Sequence, residues 1–226
     1  MSKIEKIAKA VNEGSREYRD LQINIVEAEE EKENAYQVRG YATTFNQPYP
    51  LYSMTLDDGY TVKVLEQVDA DAFNDTDMND VIMQYDHEGR VFARQSNHTL
   101  SLNKDEHGLL IDADLSGTEI GRQLYEEIKG GYTNKMSIGF TVKDSAFEQI
   151  DDDSADEVYL RTIKAVRKLW DVSAVSLPAN DFTSISARSV CDGVIQAVET
   201  ERLTARKKEE LRRRLNLRIK AMKGDM

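Results

Sequence analysis

The sequence NKMSIGFTV, residues 134–142, predicts a β-strand with two different faces. Side chains in a strand point alternately to opposite faces, so one face of this strand is apolar, comprising Met136, Ile138, Phe140 and Val142. Those side chains would pack into a core. Ser137 would lie on the other face, next to Gly139, which lets another chain segment approach closely. This hydroxyl is either an ordinary outward-facing strand residue or a nucleophile held on a rigid scaffold.

Short alternating segments on either side of this strand predict a mainly β fold with flanking helices, of the α+β class. They are bounded by turn residues and include LQINIVEAE, AYQVRGYATTF, RVFAR, HTLSLN and GLLIDADL. Their spacing is typical of antiparallel strands. One helix interrupts the pattern: Thr118 is a suitable N-cap, Ile120, Leu124 and Ile128 repeat at helical spacing, and Gly130 stops the helix.

The two ends of the chain differ from this β region. Residues 1–19 predict a short N-terminal helical arm, and residues 20–190 are assigned to the β domain. Residues 199–226 predict a basic amphipathic helix, or tail, whose apolar side chains recur mostly every four residues, at Leu203, Leu211, Leu215 and Ile219.

Charge divides the chain in the same way and excludes some functions. Residues 199–226 hold ten Lys and Arg against five Asp and Glu, whereas the rest of the chain is strongly acidic, within a net charge of -11. Phosphates repel so acidic a body, so nucleic acid is not expected as a partner. No membrane-spanning run, signal peptide or disulfide pair is found, since Cys191 is the one cysteine. These features predict an intracellular protein that does not contact membranes.

A serine hydroxyl is a weak nucleophile unless a base takes its proton, so the three histidines are the natural candidates. His107 lies in a turn before a strand, and His98 stands at the start of a strand. His87 follows the apolar run VIMQYD and precedes the turn residues EGR, so its ring would emerge at a strand end. A strand end holds a side chain in place while leaving it accessible, as a general base requires.

A third group would orient the imidazole, and Asp171 in KLWDVSAV is the strongest candidate. A carboxylate inside an apolar run must be paired or hydrogen-bonded, because burying it alone is costly. The alternative is a structural ion pair with Arg167 or Lys168. Asp86 is adjacent to His87, but successive strand side chains point in opposite directions, which counts against it.

Other catalytic and cofactor motifs are absent from the sequence. There is no GxSxG elbow, phosphate-binding loop, GxGxxG or HExxH, and no spacing suited to zinc. Cys191 has no histidine near it in sequence, and we expect it to be inert. No metal or organic cofactor is expected.

The order of several motifs resembles that of the prohead, or capsid maturation, serine proteases of tailed bacteriophages. This family is related in fold to the herpesvirus assembly proteases. The resemblance covers roughly residues 20–188 and rests on RGYATTFN (39–46), YDHEGRVFAR (85–94), DEHGLLIDADL (105–115), the glycine-ended helix leading to NKMSIGF, and LWDVSAVSLPAN (169–180).

The resemblance implies an antiparallel β-barrel of the herpesvirus-protease type, with Ser137 as nucleophile, His87 as general base and acid, and Asp171 orienting the histidine. The family most often carries glutamate at the third position, where this chain has aspartate. Herpesvirus relatives use a second histidine there, which keeps His98 as a rival. The oxyanion hole is not assigned.

The resemblance also implies where the protein acts and on what. It would work in the host cytoplasm, inside the assembling procapsid, where it would remove a scaffolding segment from the major capsid protein and trim itself. The basic tail would dock on acidic scaffold or capsid surfaces. A homo-oligomer is left open, because the herpesvirus relatives form dimers. The alternative function is a non-catalytic scaffolding or assembly protein built on the same barrel.

Overall fold

The computed structural model describes residues 4, 16–22, 36–175 and 185–224, and this part of the chain is mainly β. In chain order its elements are strands β1 (Arg16–Gln22), β2 (Gln37–Thr44), β3 (Tyr49–Thr55), β4 (Thr61–Val68), β5 (Ile82–Tyr85), β6 (Glu88–Arg94), β7 (Leu100–Lys104) and β8 (Gly108–Asp114), helix α1 (Glu119–Lys129), strands β9 (Lys135–Ile150) and β10 (Glu157–Val175), and helix α2 (Ile185–Gly224).

The described strands form two sheets, one of seven strands and one of three. The larger sheet has the order β1-β9-β10-β4-β3, and the hairpin of β5 and β6 is attached through β5 to β10. Strands β9 and β10 pair antiparallel along most of their length, whereas β4 and β5 both run parallel to β10, at opposite ends of it. The smaller sheet has the order β2-β8-β7. Strand β10 is therefore the central strand of the larger sheet, because it pairs directly with β4, β5 and β9.

The main core lies where both sheets and α1 contribute apolar side chains. It includes the predicted apolar face of β9 together with residues of β2, β7, β8 and α1, such as Val38, Leu100, Ile111, Leu124, Ile128, Met136, Ile138, Phe140 and Val142. The alternation expected around Ser137 is thus confirmed for the core side. The predicted helix is also confirmed, with the Thr118 hydroxyl accepting a hydrogen bond from the Gly121 N–H (3.0 Å) and Gly130 at the C-cap.

Helix α2 covers a second, smaller core on the larger sheet. Its buried residues Cys191, Val194 and Val198 cluster with side chains of β3, β4, β9 and β10, namely Leu51, Val62, Val64, Phe147 and Tyr159. Burial raises the pKa of the Cys191 thiol to about 12, which keeps it protonated and unreactive. The helix starts at Ile185, earlier than the 199–226 element predicted, and the proposed boundary near residue 190 falls inside it.

A buried ion network ties the edge strand β1 to the middle of the larger sheet. Arg19 of β1 pairs with Glu66 of β4, and Arg161 of β10 pairs with Glu66 (2.8 Å) and with Glu17 of β1 (2.7 Å). The Tyr49 hydroxyl also donates to Glu66 (2.5 Å). Burial alone would raise the pKa of Glu66, but the two guanidinium groups hold it below its usual range. The two buried guanidinium groups are therefore neutralised by two buried carboxylates. Because these pairs form only when β1 is aligned as it is here, they fix its register.

Three expectations from the sequence, one about the N-terminal arm and two about the sheets, need correction or stay open. The predicted arm of residues 1–19 overlaps β1, which begins at Arg16, and most of the rest of that segment lies outside the described residues. The pairing seen between described strands does not close either sheet into a barrel, so the barrel is not shown. The fold is also not purely antiparallel, because β4 and β5 pair in parallel with β10.

Candidate active site

His87 lies in a two-residue hairpin turn between β5 and β6. Tyr85 pairs with Glu88, and the two residues between them, Asp86 and His87, have φ values of 46° and 60°. Positive φ at both positions is the geometry of a type I′ turn, for which asparagine and glycine are the preferred residues. A histidine in the left-handed region costs roughly 1–2 kcal/mol. The turn nevertheless aims the imidazole back over the face of the sheet that carries Ser137.

Ser137 lies in β9, between two neighbouring strands. Its partners across the sheet are Asp20 of β1 and Ser173 of β10. Both faces of β9 are covered here, so Ser137 has no solvent exposure, although the sequence left open an exposed strand serine. A residue between two paired strands is held more firmly than one in a loop.

Asp171 reaches the same face of the sheet because of a bulge in β10. Leu169 pairs with Phe140 and Asp171 with Gly139, so Trp170 is an extra residue in the register. In a regular strand Leu169 and Asp171 would share a face, and the carboxylate would enter the apolar core. Because the bulge adds one residue, the alternation of side chains shifts by one position. Leu169 therefore packs in the core, while Asp171 lies on the same face of the sheet as Ser137.

Ser137 and Asp171 both contact His87 in the folded chain, although they lie 50 and 84 positions from it in sequence. His87 Nε2 lies 2.6 Å from Ser137 Oγ, and His87 Nδ1 lies 2.5 Å from Asp171 Oδ1. Asp171 is fully buried, whereas the His87 side chain is 14% exposed. The serine and the carboxylate therefore bind opposite edges of one imidazole ring.

The Asp171 carboxylate is ionised and has further hydrogen-bond donors. The Ser173 hydroxyl donates to Oδ1 (2.6 Å), and the Arg16 guanidinium binds Oδ2. Burial by itself raises the pKa of Asp171, but the hydrogen bond and charge of His87, followed by Ser173 and Arg16, lower it below its ordinary value. The alternative, a structural ion pair with Arg167 or Lys168, is not what the structure shows: Lys168 pairs with Asp77 (3.1 Å), and the cation bound to Asp171 is Arg16.

Gly139 leaves the space that this ion pair occupies. A Cβ atom at position 139 would collide with the Asp171 carboxylate and lie 2.9 Å from Arg16 Nε. The sequence suggested that this glycine lets another chain segment approach. In the structure the space is filled by the two charged side chains.

Sequence reasoning missed three residues at the site, namely Arg16, Tyr18 and Ser173. Arg16 and Tyr18 come from β1, and the Tyr18 ring lies against the His87 ring with centroids 4.3 Å apart. Alternation within REYR places the two on one face, and alternation within DVS places Ser173 beside Asp171. Those signals existed, but nothing local indicates that β1 pairs with β9.

The other two histidines lie away from this cluster. His98 is exposed in the turn before β7 with a φ of 63°, and its ring contacts no other described residue through a hydrogen bond or ion pair. The His107 ring packs against Tyr41, with centroids 4.6 Å apart. Asp86, in the turn beside His87, is exposed. Of the acidic and histidine candidates, only Asp171 contacts His87 Nδ1.

The described part of the chain contains neither a metal-binding cluster nor a membrane-spanning helix. Among residues 16–22, 36–175 and 185–224, no group of three or more His, Cys, Asp or Glu is placed to hold a metal ion. No helix in these ranges is long and apolar enough to cross a membrane.

A serine, a histidine and a carboxylate in this order of contact are typical of serine hydrolases. Comparison with protein families gives a more specific assignment, since residues 21–195 match the model of the caudovirus prohead serine proteases. No curated protein and no solved structure matches the chain significantly. The match spans the β region and the start of α2, so the chain is a serine peptidase and belongs to the caudovirus prohead serine protease family.

Proposed function

We propose that this protein is the endopeptidase that removes the scaffolding segment of the major capsid protein inside the assembling procapsid, and that it also cleaves itself. Membership of the prohead protease family supports a role in capsid maturation. The observation that carries the catalytic part of the proposal is the imidazole of His87, which contacts Ser137 Oγ with one nitrogen and Asp171 with the other.

The contacts suit acyl transfer through a serine ester. With Nδ1–H donated to Asp171, the lone pair of Nε2 faces Ser137 Oγ at 2.6 Å and accepts its proton as Oγ attacks the scissile carbonyl carbon. The C–N bond then breaks, and the leaving amine takes that proton from Nε2. His87 then takes a proton from water as its oxygen attacks the ester carbon, and returns that proton to Oγ as the ester C–O bond breaks, which releases the carboxylic acid and the free Ser137 hydroxyl. Asp171 stays ionised throughout and stabilises the imidazolium.

The buried position of Ser137 places a condition on this reaction. Because the residue has no solvent exposure, neighbouring groups must shift before a peptide carbonyl reaches Oγ. We propose the Tyr18 ring as one such group, since its centroid lies 4.3 Å from that of the His87 ring.

A covalent probe tests the proposal without a known substrate. A biotin-tagged fluorophosphonate incubated with the full chain should form one adduct, which peptide mass spectrometry should locate at Ser137. His87→Ala should label about 10²- to 10⁴-fold more slowly, since general-base catalysis contributes that much. His98→Ala is the matched control and should label like the unchanged protein. An adduct at another serine, or equal labelling of the His87 variant, would count against the proposed nucleophile and base.

The basic part of α2 is proposed to bring the enzyme to its substrate by binding acidic surfaces of scaffold or capsid protein. From Leu203 to Ile219 every side chain is exposed, including Leu211 (69%) and Leu217 (67%). Two i,i+4 pairs, Arg213–Glu209 and Arg214–Glu210, help the helix persist without packing. Cationic side chains flanking exposed leucines fit an acidic amphipathic partner.

Charge reversal tests this docking role. Replacing Arg212, Arg213 and Arg214 together with glutamate should greatly reduce the amount of protein that co-sediments with proheads assembled in the same cells. Three exposed cations of the β domain, changed in the combination Lys129→Glu, Lys143→Glu and Arg167→Glu, alter the net charge equally and should leave packaging nearly unchanged. Equal packaging of both triple variants would rule out the helix as the docking element.

A further inference from the structure

The second oxygen of the Asp171 carboxylate has a partner of its own. Oδ1 accepts from His87 and Ser173, whereas Oδ2 is bound by the guanidinium of Arg16 from β1. The carboxylate is fully buried, while the Arg16 side chain is 36% exposed. Arg16 thus binds the carboxylate oxygen that His87 does not contact, and it follows Asp171 in the chain of contacts that starts at Ser137.

We propose that Arg16 is a positioning residue of this site, which holds the Asp171 carboxylate in line with the imidazole and sets the charge that the imidazole experiences. The inference rests on the proposed function of Ser137, His87 and Asp171. Arg16 does not touch the reacting atoms, and it acts only through Asp171.

The guanidinium is itself held by its surroundings. Its central carbon lies 5.2 Å from the centroid of the Tyr18 ring and 5.7 Å from that of the Trp170 ring, within range of cation–π attraction. The absence of a side chain at Gly139 provides the space beneath it. Trp170 is the extra residue of the β10 bulge, so the same bulge that turns Asp171 toward the site also supplies an aromatic neighbour for Arg16.

The buried ion network next to Arg16 fixes where β1 lies. Glu17 and Arg19 point to the other face of β1 and pair with Arg161 and Glu66 of the central strands. A shift of β1 by one residue would break these pairs and leave buried charges without partners, which is strongly unfavourable. The register that satisfies the network is the one that presents Arg16 to Asp171.

The positive charge of Arg16 is expected to change the pH dependence of catalysis in one direction. The charged group in contact with His87 is Asp171 from β10, and Arg16 from β1 binds the other oxygen of that carboxylate. Asp86 and Glu88, the neighbours of His87 along the hairpin, are exposed, and Tyr18 and Ser137 are its neutral contacts. Removing the cation strengthens the field of Asp171 at the ring and so favours the protonated imidazole. Protonated His87 cannot accept the serine proton, so activity should require a more alkaline pH.

Three substitutions separate the charge from the hydrogen bond. Arg16→Lys keeps a cation, Arg16→Gln keeps an N–H donor without charge, and Arg16→Met keeps neither. The rate of fluorophosphonate labelling of Ser137 is measured against pH for the full-length proteins, with thermal unfolding recorded for each. Arg39→Met, which removes an exposed cation paired with Asp112 on the other sheet, is the control.

The expected result is a pattern that depends on charge. Arg16→Gln and Arg16→Met should move the acid limb of the pH–rate profile to higher pH, whereas Arg16→Lys and the control should not. The plateau rate should fall roughly 100-fold in Arg16→Met, as expected when a catalytic group loses its alignment, and less in Arg16→Lys and Arg16→Gln.

If labelling depends on His87 but all three variants keep the original pH midpoint and plateau rate, or lose rate only in proportion to lost folded protein, the inference about Arg16 is wrong while the proposed function stands. If the unchanged protein shows no His87-dependent labelling, both fall together.

Discussion

Replacing Ser137 with alanine is expected to abolish processing of the major capsid protein while the chain still folds. The hydroxyl is the group that would form the ester intermediate, and its Oγ lies 2.6 Å from the base. Among the described residues, Ser137 is the hydroxyl that contacts His87 Nε2, and loss of a triad nucleophile lowers turnover by up to about a millionfold. The substitution removes one buried oxygen without adding volume, so the effect on stability should be small in comparison.

The measurement is co-expression of the full chain with the major capsid protein of the same phage, followed by intact mass analysis of that capsid protein. The unchanged enzyme should yield the shortened capsid protein, and Ser137→Ala only the full-length form. Ser101→Ala is a matched control, since it alters an exposed strand serine of the smaller sheet. Continued shortening in the Ser137 variant would remove the catalytic assignment and favour a non-catalytic assembly role for the protein.

Replacing Asp171 with asparagine is the second change with a large expected effect, a loss of roughly 10⁴-fold in turnover. Asparagine has nearly the same shape, but its amide carries no charge to stabilise the imidazolium, and its NH₂ group cannot accept the Nδ1 proton. One side of the amide would also present a donor to Ser173 or Arg16, each of which donates to the present carboxylate. The ring would lose the tautomer in which Nε2 accepts from Ser137.

His98→Ala provides the comparison that separates the two rival third members. His98 is exposed and has no polar contact with the cluster, so its loss should change capsid processing by no more than a few fold. The same co-expression assay, sampled over time, gives both rates. A severe loss in the His98 variant together with a mild one in Asp171→Asn would reverse the assignment, and two mild effects would remove Asp171 from the mechanism.

The sequence by itself determined the features that depend on neighbouring residues. Alternation in NKMSIGFTV identified the core face of β9, and the cap at Thr118 with Gly130 bounded α1, because burial of a face and capping of a helix are decided within a few residues. The family resemblance, which is a matter of motif order, is confirmed by the match over residues 21–195. The same motifs singled out His87, Ser137 and Asp171 as candidates before any geometry was known.

Only the tertiary structure decided how these pieces meet. The bulge at Trp170 sets which face Asp171 takes, and the pairing of β1 with β9 brings Arg16 to a carboxylate 155 positions away. The alternative that the sequence offered was an ion pair with Arg167 or Lys168, which are close to Asp171 along the chain, but Lys168 pairs with Asp77. Strand register and bulges are settled by which distant strands pair and which buried charges must be matched. The free energies of strand pairing and charge matching arise only in the assembled sheet, so the hydrophobic periodicity of a single segment does not reveal them.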